Sequence, residues 1–174
     1  ITLEDPVERD LPGAAQIEVQ PHGELTYERA LRSILRQDPQ VLMLGEIRDA
    51  PTASLAIQAA LSGHRLIATM HAGAPGQAIA RLLEMDVAPY QIASALLGVV
   101  AQRLLRRLDK ATGAYSGRMA VAESAQLDEP LRQAIMRRAD AQTIQELIVG
   151  RPGHLTLHEA GRQAVAAGLT DSSE

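Results

Sequence analysis

The stretch "VLMLGEIRDAPTASLAIQAALSGHRLIATM", residues 41–70, decides the fold. Val41–Leu44 is a continuous apolar run of strand length, as expected for a strand buried on both faces. Pro51 opens a helix and Gly63 closes it, the asymmetry that helix ends favour. Arg65–Met70 reads as the next strand. The first strand closes on Gly45-Glu46, and a carboxylate at the tip of a buried strand needs either a partner or a use. Glycine at that tip is expected to give the backbone room beside a ligand.

Upstream, Ile1–Leu3 resemble a strand tip running into the acidic "EDPVE" of residues 4–8. The chain thus opens inside an element, and the expectation is a piece of a longer protein. Residues 6–25 hold Pro6, Pro12, Gly13, Pro21 and Gly23 and read mostly as loop, with "QIEVQ" (16–20) as a short edge strand. Thr26 is placed to cap a helix through about Gln37, with Ala30, Leu31, Ile34 and Leu35 on one face. Asp38-Pro39 stops it.

Downstream, Pro75 starts a helix through about Met85, and Pro89 another through about Leu97. "VVAQRLLRRL" (99–108) fits either a prolonged helix or a strand; a strand from about Ala101 is the preferred reading. A polar turn spans 109–117, and "RMAVAES" (118–124) alternates like a strand. Beyond Asp128 the pattern is helical only, over 128–139, 141–149 and 156–167, and the polar tail "TDSSE" is expected to fray. Strands alternating with helices predict an α/β fold with a largely parallel sheet over 1–124, followed by a small helical C-terminal subdomain over 125–174.

Composition narrows the function. Among 174 residues, 46% are hydrophobic, enough for a core, yet there are three Tyr and no Phe or Trp, so that core is aliphatic. Base-stacking platforms are therefore missing, and a net charge of −4 supplies no basic field, which argues against nucleic acid as a partner. The absence of Cys excludes disulfides and thiolate metal sites and fits a reducing compartment. No apolar run reaches the roughly 18 residues of a membrane span.

In open α/β sheets, ligands sit beyond the carboxyl ends of the strands. Three strand ends here carry polar groups: Glu4 and Asp5 with Glu8 behind, then Glu46 with Arg48 and Asp49, then Thr69 and His71. If those strands are neighbours, carboxylates and an imidazole converge on one rim. Carboxylates there hold Mg²⁺ through its waters or orient an attacking water. A histidine there donates to a phosphate oxygen. Taken singly, each group also has a plain structural use. Glu46 serves as a loop-entry residue, His71 as a cap, and Glu4, Asp5 and Glu8 as a solvated loop. His64 suits a helix C-terminus. Arg29, Arg32 and Arg36, three and four apart, fit a solvent face. The case rests on their falling at successive strand ends. A phosphate loop, G-x-x-x-x-G-K-[ST], is not among these residues: the lone lysine, Lys110, follows Asp109.

Four stretches together resemble a known family. "ITLEDPVE" (1–8) resembles an acidic "Asp box", and "LRSILRQDPQVLMLGEIRDAPTASLAIQAALSGH" (31–64) a Walker B region. "GHRLIATMHAGAPGQAIARLLEM" (63–85) resembles a "His box", and "PYQIASALLGVVAQRLLRRL" (89–108) continues the match. The family is that of the type II secretion and type IV pilus-assembly ATPases, RecA-like hexameric motors. The match is close over residues 1–124 and looser beyond.

The resemblance implies a role for each matching position. Glu4 would be the general base that positions the attacking water, with Asp5 in support. Glu46 would act on Mg²⁺ through water. His71 and His64 would contact or sense the γ-phosphate of ATP. Arg29, Arg32 and Arg36 would serve subunit contacts or charge stabilisation. It further implies a homo-hexamer on the cytoplasmic side of the inner membrane, docked to a membrane platform and cytoplasmic docking proteins. Without a phosphate loop these residues are expected to bind ATP weakly and to be inactive alone. Many such ATPases carry a four-cysteine zinc module after "RRL"; here "DKATGAYSGR" (109–118) stands there, so no zinc is expected. This means either a lineage without that module or an altered version of the protein. Two alternatives remain: a catalytically dead scaffold or docking subunit of the same machinery, and a pilus-retraction or conjugation-type motor.

Overall fold

A computed structural model describes residues 1–20 and 23–173. Pro21 in the first loop and Glu174 in the polar tail lie outside the described residues. The elements run β1 (Thr2–Glu4), β2 (Gln16–Glu18), α1 (Tyr27–Ile34), β3 (Val41–Leu44), α2 (Ala50–Leu61), β4 (Arg65–Ala68), α3 (Pro75–Glu84), α4 (Pro89–Ala95), β5 (Gly98–Leu108), β6 (Tyr115–Gln126), α5 (Glu129–Met136), α6 (Ala141–Val149) and α7 (Leu157–Ala166). A short 3₁₀ turn, Leu35–Gln37, extends α1.

The first four strands form one parallel sheet in the order β2-β1-β3-β4. Each local signal in residues 41–70 has its counterpart. Asp49 caps α2 by accepting the Thr52 amide at 2.8 Å, Pro51 lies in its first turn, and Gly63 leaves it with φ of +98°. Thr26 caps α1 as expected, accepting from the Arg29 amide. β2 lies at one edge of the sheet and β4 at the other.

β3 is not covered equally on its two faces. Leu42 and Leu44 are fully buried, while Val41 is 44% exposed and Met43 half-buried. An apolar run does not reveal whether both faces find a cover, and here one face carries the core. That core is aliphatic and continuous. Leu3, Leu31, Leu42, Leu44, Ile79 and Ile92 belong to the same buried cluster as Leu131 and Ile135 of α5 and Ile144 and Ile148 of α6. Tyr27 is its one aromatic member among the described residues.

The stretch from residue 98 departs from the parallel pattern. β5 and β6 pair only with each other, antiparallel, from Gly98↔Gln126 to Leu108↔Tyr115. The connection is too short for a parallel crossover, which needs a dozen or more residues. It closes as a turn in which the Asp109 amide donates to the Ala114 carbonyl at 2.8 Å. The ambiguous stretch is a strand, and it starts at Gly98, three positions before the expected Ala101.

The tail, expected to fray, is tied to this hairpin. The Leu108 amide donates to the Leu169 carbonyl at 2.8 Å, and Lys110 Nζ donates to the Ala167 carbonyl at 2.9 Å. Tyr115 donates its hydroxyl to Asp171. Hydrogen bonds from the Ser173 hydroxyl, then Tyr115, then the Ser173 amide lower the Asp171 pKa to about 2. Polar composition alone does not predict fraying when tail groups find partners within reach, as Asp171 and Ser173 do here.

A buried carboxylate joins the helical end to the rest. Glu123 on β6 is 4% exposed and accepts from Gln145 Nε2 at 2.6 Å, His154 Nε2 at 3.1 Å and the Leu157 amide at 3.1 Å. Gln145 in turn accepts from the Gly76 amide at 2.9 Å, in the first turn of α3. Gly76 allows that approach, since a Cβ there would stand 2.7 Å from the Ala141 carbonyl oxygen. Removing the carboxylate strands three part-buried donors, so Glu123→Ala is expected to cost about 3–5 kcal/mol of stability, read from urea unfolding.

Candidate functional site

Parallel pairing puts the ends of β1, β3 and β4 side by side. Leu3 pairs with Leu44, and Leu44 with Ala68, so the residues after each strand share one rim. They line a cleft of about 470 Å³ whose walls include Glu4, Asp5, Tyr27, Glu46, Arg48 and His71.

Glu46 sits at its centre. Its Oε2 accepts from Arg48 Nε at 2.6 Å, and its Oε1 lies 3.1 Å from His71 Nε2. Arg48 also reaches Asp5, with Nη1 to Oδ2 at 3.1 Å, and so bridges the ends of β1 and β3. These hydrogen bonds, Glu46 first, raise the already high pKa of Arg48 further.

Glu4 is held differently, by neutral donors. It accepts from the Thr2 hydroxyl and from Gln16 Nε2, the latter at 2.9 Å. These bonds, the Thr2 one first, lower its pKa below the ordinary 4.5.

Glycine at position 45 has a different reason from the one expected. A Cβ there would stand 3.0 Å from the Leu3 carbonyl oxygen, 3.0 Å from the Tyr27 hydroxyl and 3.2 Å from Glu4 Cα. The glycine makes room for β1 and Tyr27, with the Gly45 amide donating to the Leu3 carbonyl at 2.6 Å. Thr69 closes the other side by donating its hydroxyl to the Gly45 carbonyl.

The remaining predicted residues stand elsewhere. His64 lies in the turn before β4, at the opposite end of that strand from His71, with Nδ1 3.2 Å from the Ala59 carbonyl oxygen. Arg29 and Arg32 are exposed on α1, and Arg36 on the 3₁₀ turn that follows it. Arg29 donates to the Glu24 carbonyl at 2.9 Å, and Arg32 pairs with Glu28 at 3.1 Å. Neither His64 nor these arginines line the cleft. Conversely, Tyr27 lines it and escapes sequence reading, because as the first residue of an amphipathic helix it reads as core.

A parallel four-stranded sheet with flanking helices and a polar carboxyl rim is an α/β arrangement of RecA-like type. The profile of the family described as "Type II/IV secretion system protein" matches residues 1–174, and the chain belongs to that family. It is 40% identical over 192 residues to the type II secretion system protein HxcR of Pseudomonas aeruginosa, covering 100% of this chain and 41% of HxcR. It is 40% identical over 210 residues to the type IV pilus assembly ATPase PilB of Thermus thermophilus, covering 99% of this chain and 24% of PilB. Among solved structures, the pilus retraction motor PilT with bound ADP superposes with a TM-score of 0.77 at 26% identity, over 99% of this chain and 50% of PilT. The chain thus spans less than half the length of either of these sequence relatives. Among the described residues, no helix is long and apolar enough to cross a membrane.

Glu4 gives the rim a testable pH signature. Its folded pKa is depressed, so its contribution to stability is present above the ordinary 4.5 and is lost as pH falls through the lower folded value. Thr2→Val removes the leading hydrogen bond. It is expected to move the Glu4 midpoint up toward 4.5, followed by side-chain carboxyl NMR.

Proposed function

We propose that this chain supplies the acidic wall of an ATP-hydrolysing site in a secretion or pilus-assembly motor. The observation that carries the reading is the convergence of Glu4, Asp5, Glu46 and His71 on one rim, with Glu46 held between Arg48 and His71. In this reading Glu4 positions the attacking water, with Asp5 in support. Glu46 holds Mg²⁺ through the ion's waters, and His71 contacts the γ-phosphate. The donor set fits the ion. It consists of carboxylate oxygens, and no cluster of three or more metal-ligating side chains stands among the described residues. Mg²⁺ keeps most of its waters and needs few protein ligands. When bound, it neutralises charge on the phosphates. This chain's residues do the positioning, which dominates phosphoryl transfer.

His64 stands apart from the rim, so its role in this reading is confined to the turn that starts β4. Arg29, Arg32 and Arg36 present an exposed cationic face to a neighbouring subunit of a homo-hexamer. That hexamer would work in the cytoplasm, peripheral to the inner membrane, through a membrane platform and docking proteins. The division at residue 124 would separate the motor core from the helical subdomain. The sequence relatives HxcR and PilB, a secretion and a pilus-assembly protein, support the secretion and assembly branch.

In the full-length protein, Glu46→Gln is expected to lower kcat at least about a hundredfold while nucleotide binding persists. Wild-type turnover in that variant would refute the role of Glu46. Calorimetry of residues 1–174 with ATP and Mg²⁺ is expected to find only weak binding; low-micromolar affinity would contradict the idea that the phosphate-gripping wall lies outside these residues.

A further inference from the structure

We propose that Tyr27 is a further catalytic residue, its hydroxyl donating a hydrogen bond to an oxygen of the transferring phosphoryl group. The proposal rests on the ATP-hydrolysis reading of the rim. Tyr27 is the first residue of α1, directly after the Thr26 cap, and is only 8% exposed. Its ring belongs to the core, while its hydroxyl reaches the cleft beside Gly45.

That hydroxyl has no hydrogen-bond partner among the described residues. The ring is buried while the hydroxyl faces the open cleft, where water or an entering ligand can meet it. A Phe would fill the same core volume but bring no donor to the cleft. Several other side-chain donors of the cleft already meet protein acceptors. Thr69 donates to the Gly45 carbonyl, Arg48 to Glu46 and Asp5, and His71 Nε2 stands against Glu46. Tyr27 therefore brings the one uncommitted side-chain O–H to this wall, among the described residues.

The chemistry of the wall identifies what the hydroxyl meets. Glu4, Asp5 and Glu46 are acceptors when ionised and would repel a bare anion. A phosphoryl group entering with Mg²⁺ brings acceptor oxygens and needs donors. Burial, and next the charge of Asp5, push the phenol pKa up, so the group stays an O–H donor at neutral pH. The proton stays on the phenol throughout; only the hydrogen bond shortens as charge gathers on the phosphoryl oxygens. Gly45 is part of the device, because a side chain there would press on the hydroxyl.

The test compares full-length wild type, Tyr27→Phe and Glu46→Gln. For Tyr27→Phe, kcat is expected to fall about tenfold, the scale of one neutral hydrogen bond, with KM for ATP changed less than about twofold. The nucleotide-free protein should unfold at an unchanged or higher temperature, since the lost hydroxyl has no partner to strand. Unchanged kcat would overturn the proposal. So would a raised KM with kcat intact, which marks a ground-state contact, or a lower unfolding temperature, which marks a structural bond. If Glu46→Gln turns over normally, the rim reading itself fails. If Glu46→Gln is inactive and Tyr27→Phe is as fast as wild type, only the role of Tyr27 fails.

Discussion

The approach of β3 to β1 at Gly45 is the contact on which the rim depends. Its amide reaches the Leu3 carbonyl at 2.6 Å, and the absence of a side chain lets Glu4 and the Tyr27 hydroxyl stand close by. Glu4 and Asp5 then leave β1 beside Glu46 and Arg48 leaving β3. Strand register permits no compromise, because a slip by one residue turns every side chain to the other face. In this register Leu3, Leu42 and Leu44 stay in the core, and the polar residues after them meet at the cleft. Burial of the leucines and assembly of the acids are thus one event.

The parts legible in the sequence were those fixed by neighbours in the chain. Pro51, Gly63 and Thr26 mark helix ends through local geometry, and each stands where its type requires. The acids at successive strand ends were legible too, since a carboxyl end is a carboxyl end whatever the strand order. Illegible features depend on contacts far apart in sequence. Alternation in β6 identifies a strand but not its pairing, residues 99–108 fit helix or strand alike, and the short turn made the two a hairpin. Tyr27 and Gly45 lie 18 positions apart, so the reason for one is visible only in the presence of the other. The tail read as loose because its partners, Leu108, Lys110 and Tyr115, are some sixty residues upstream.

The carboxylates of the rim are stabilised in two distinct ways. Glu46 is flanked by cationic or potentially cationic groups, Arg48 and His71, and is the acid that a divalent cation would approach. Positive charge at Glu46 is compatible with the proposed use: a hydrated ion held there would replace one cationic neighbour with another rather than introduce charge into an apolar site. The exchange needs Arg48 to yield, and its side chain is half exposed, so water can receive it. Asp5, the second partner of Arg48, gives the guanidinium a place to remain on the rim after releasing Glu46.

Glu4, by contrast, is met only by neutral donors, and they act against proton abstraction. Hydrogen bonds from Thr2 and Gln16 favour the carboxylate and lower its pKa, which makes it a weaker base. For a reaction that required early removal of a proton from water, this would be the wrong tuning. Phosphoryl transfer through a loose transition state makes little demand on base strength, because bonding to the attacking oxygen is slight when the barrier is crossed. What it demands is a fixed acceptor that is already ionised and aimed. In the proposed reading, the two neutral donors on Glu4 would hold its orientation and its charge without placing a cation where the water would stand. The same bonds that weaken Glu4 as a base would then suit it to positioning, and its contribution would lie in geometry more than in proton affinity.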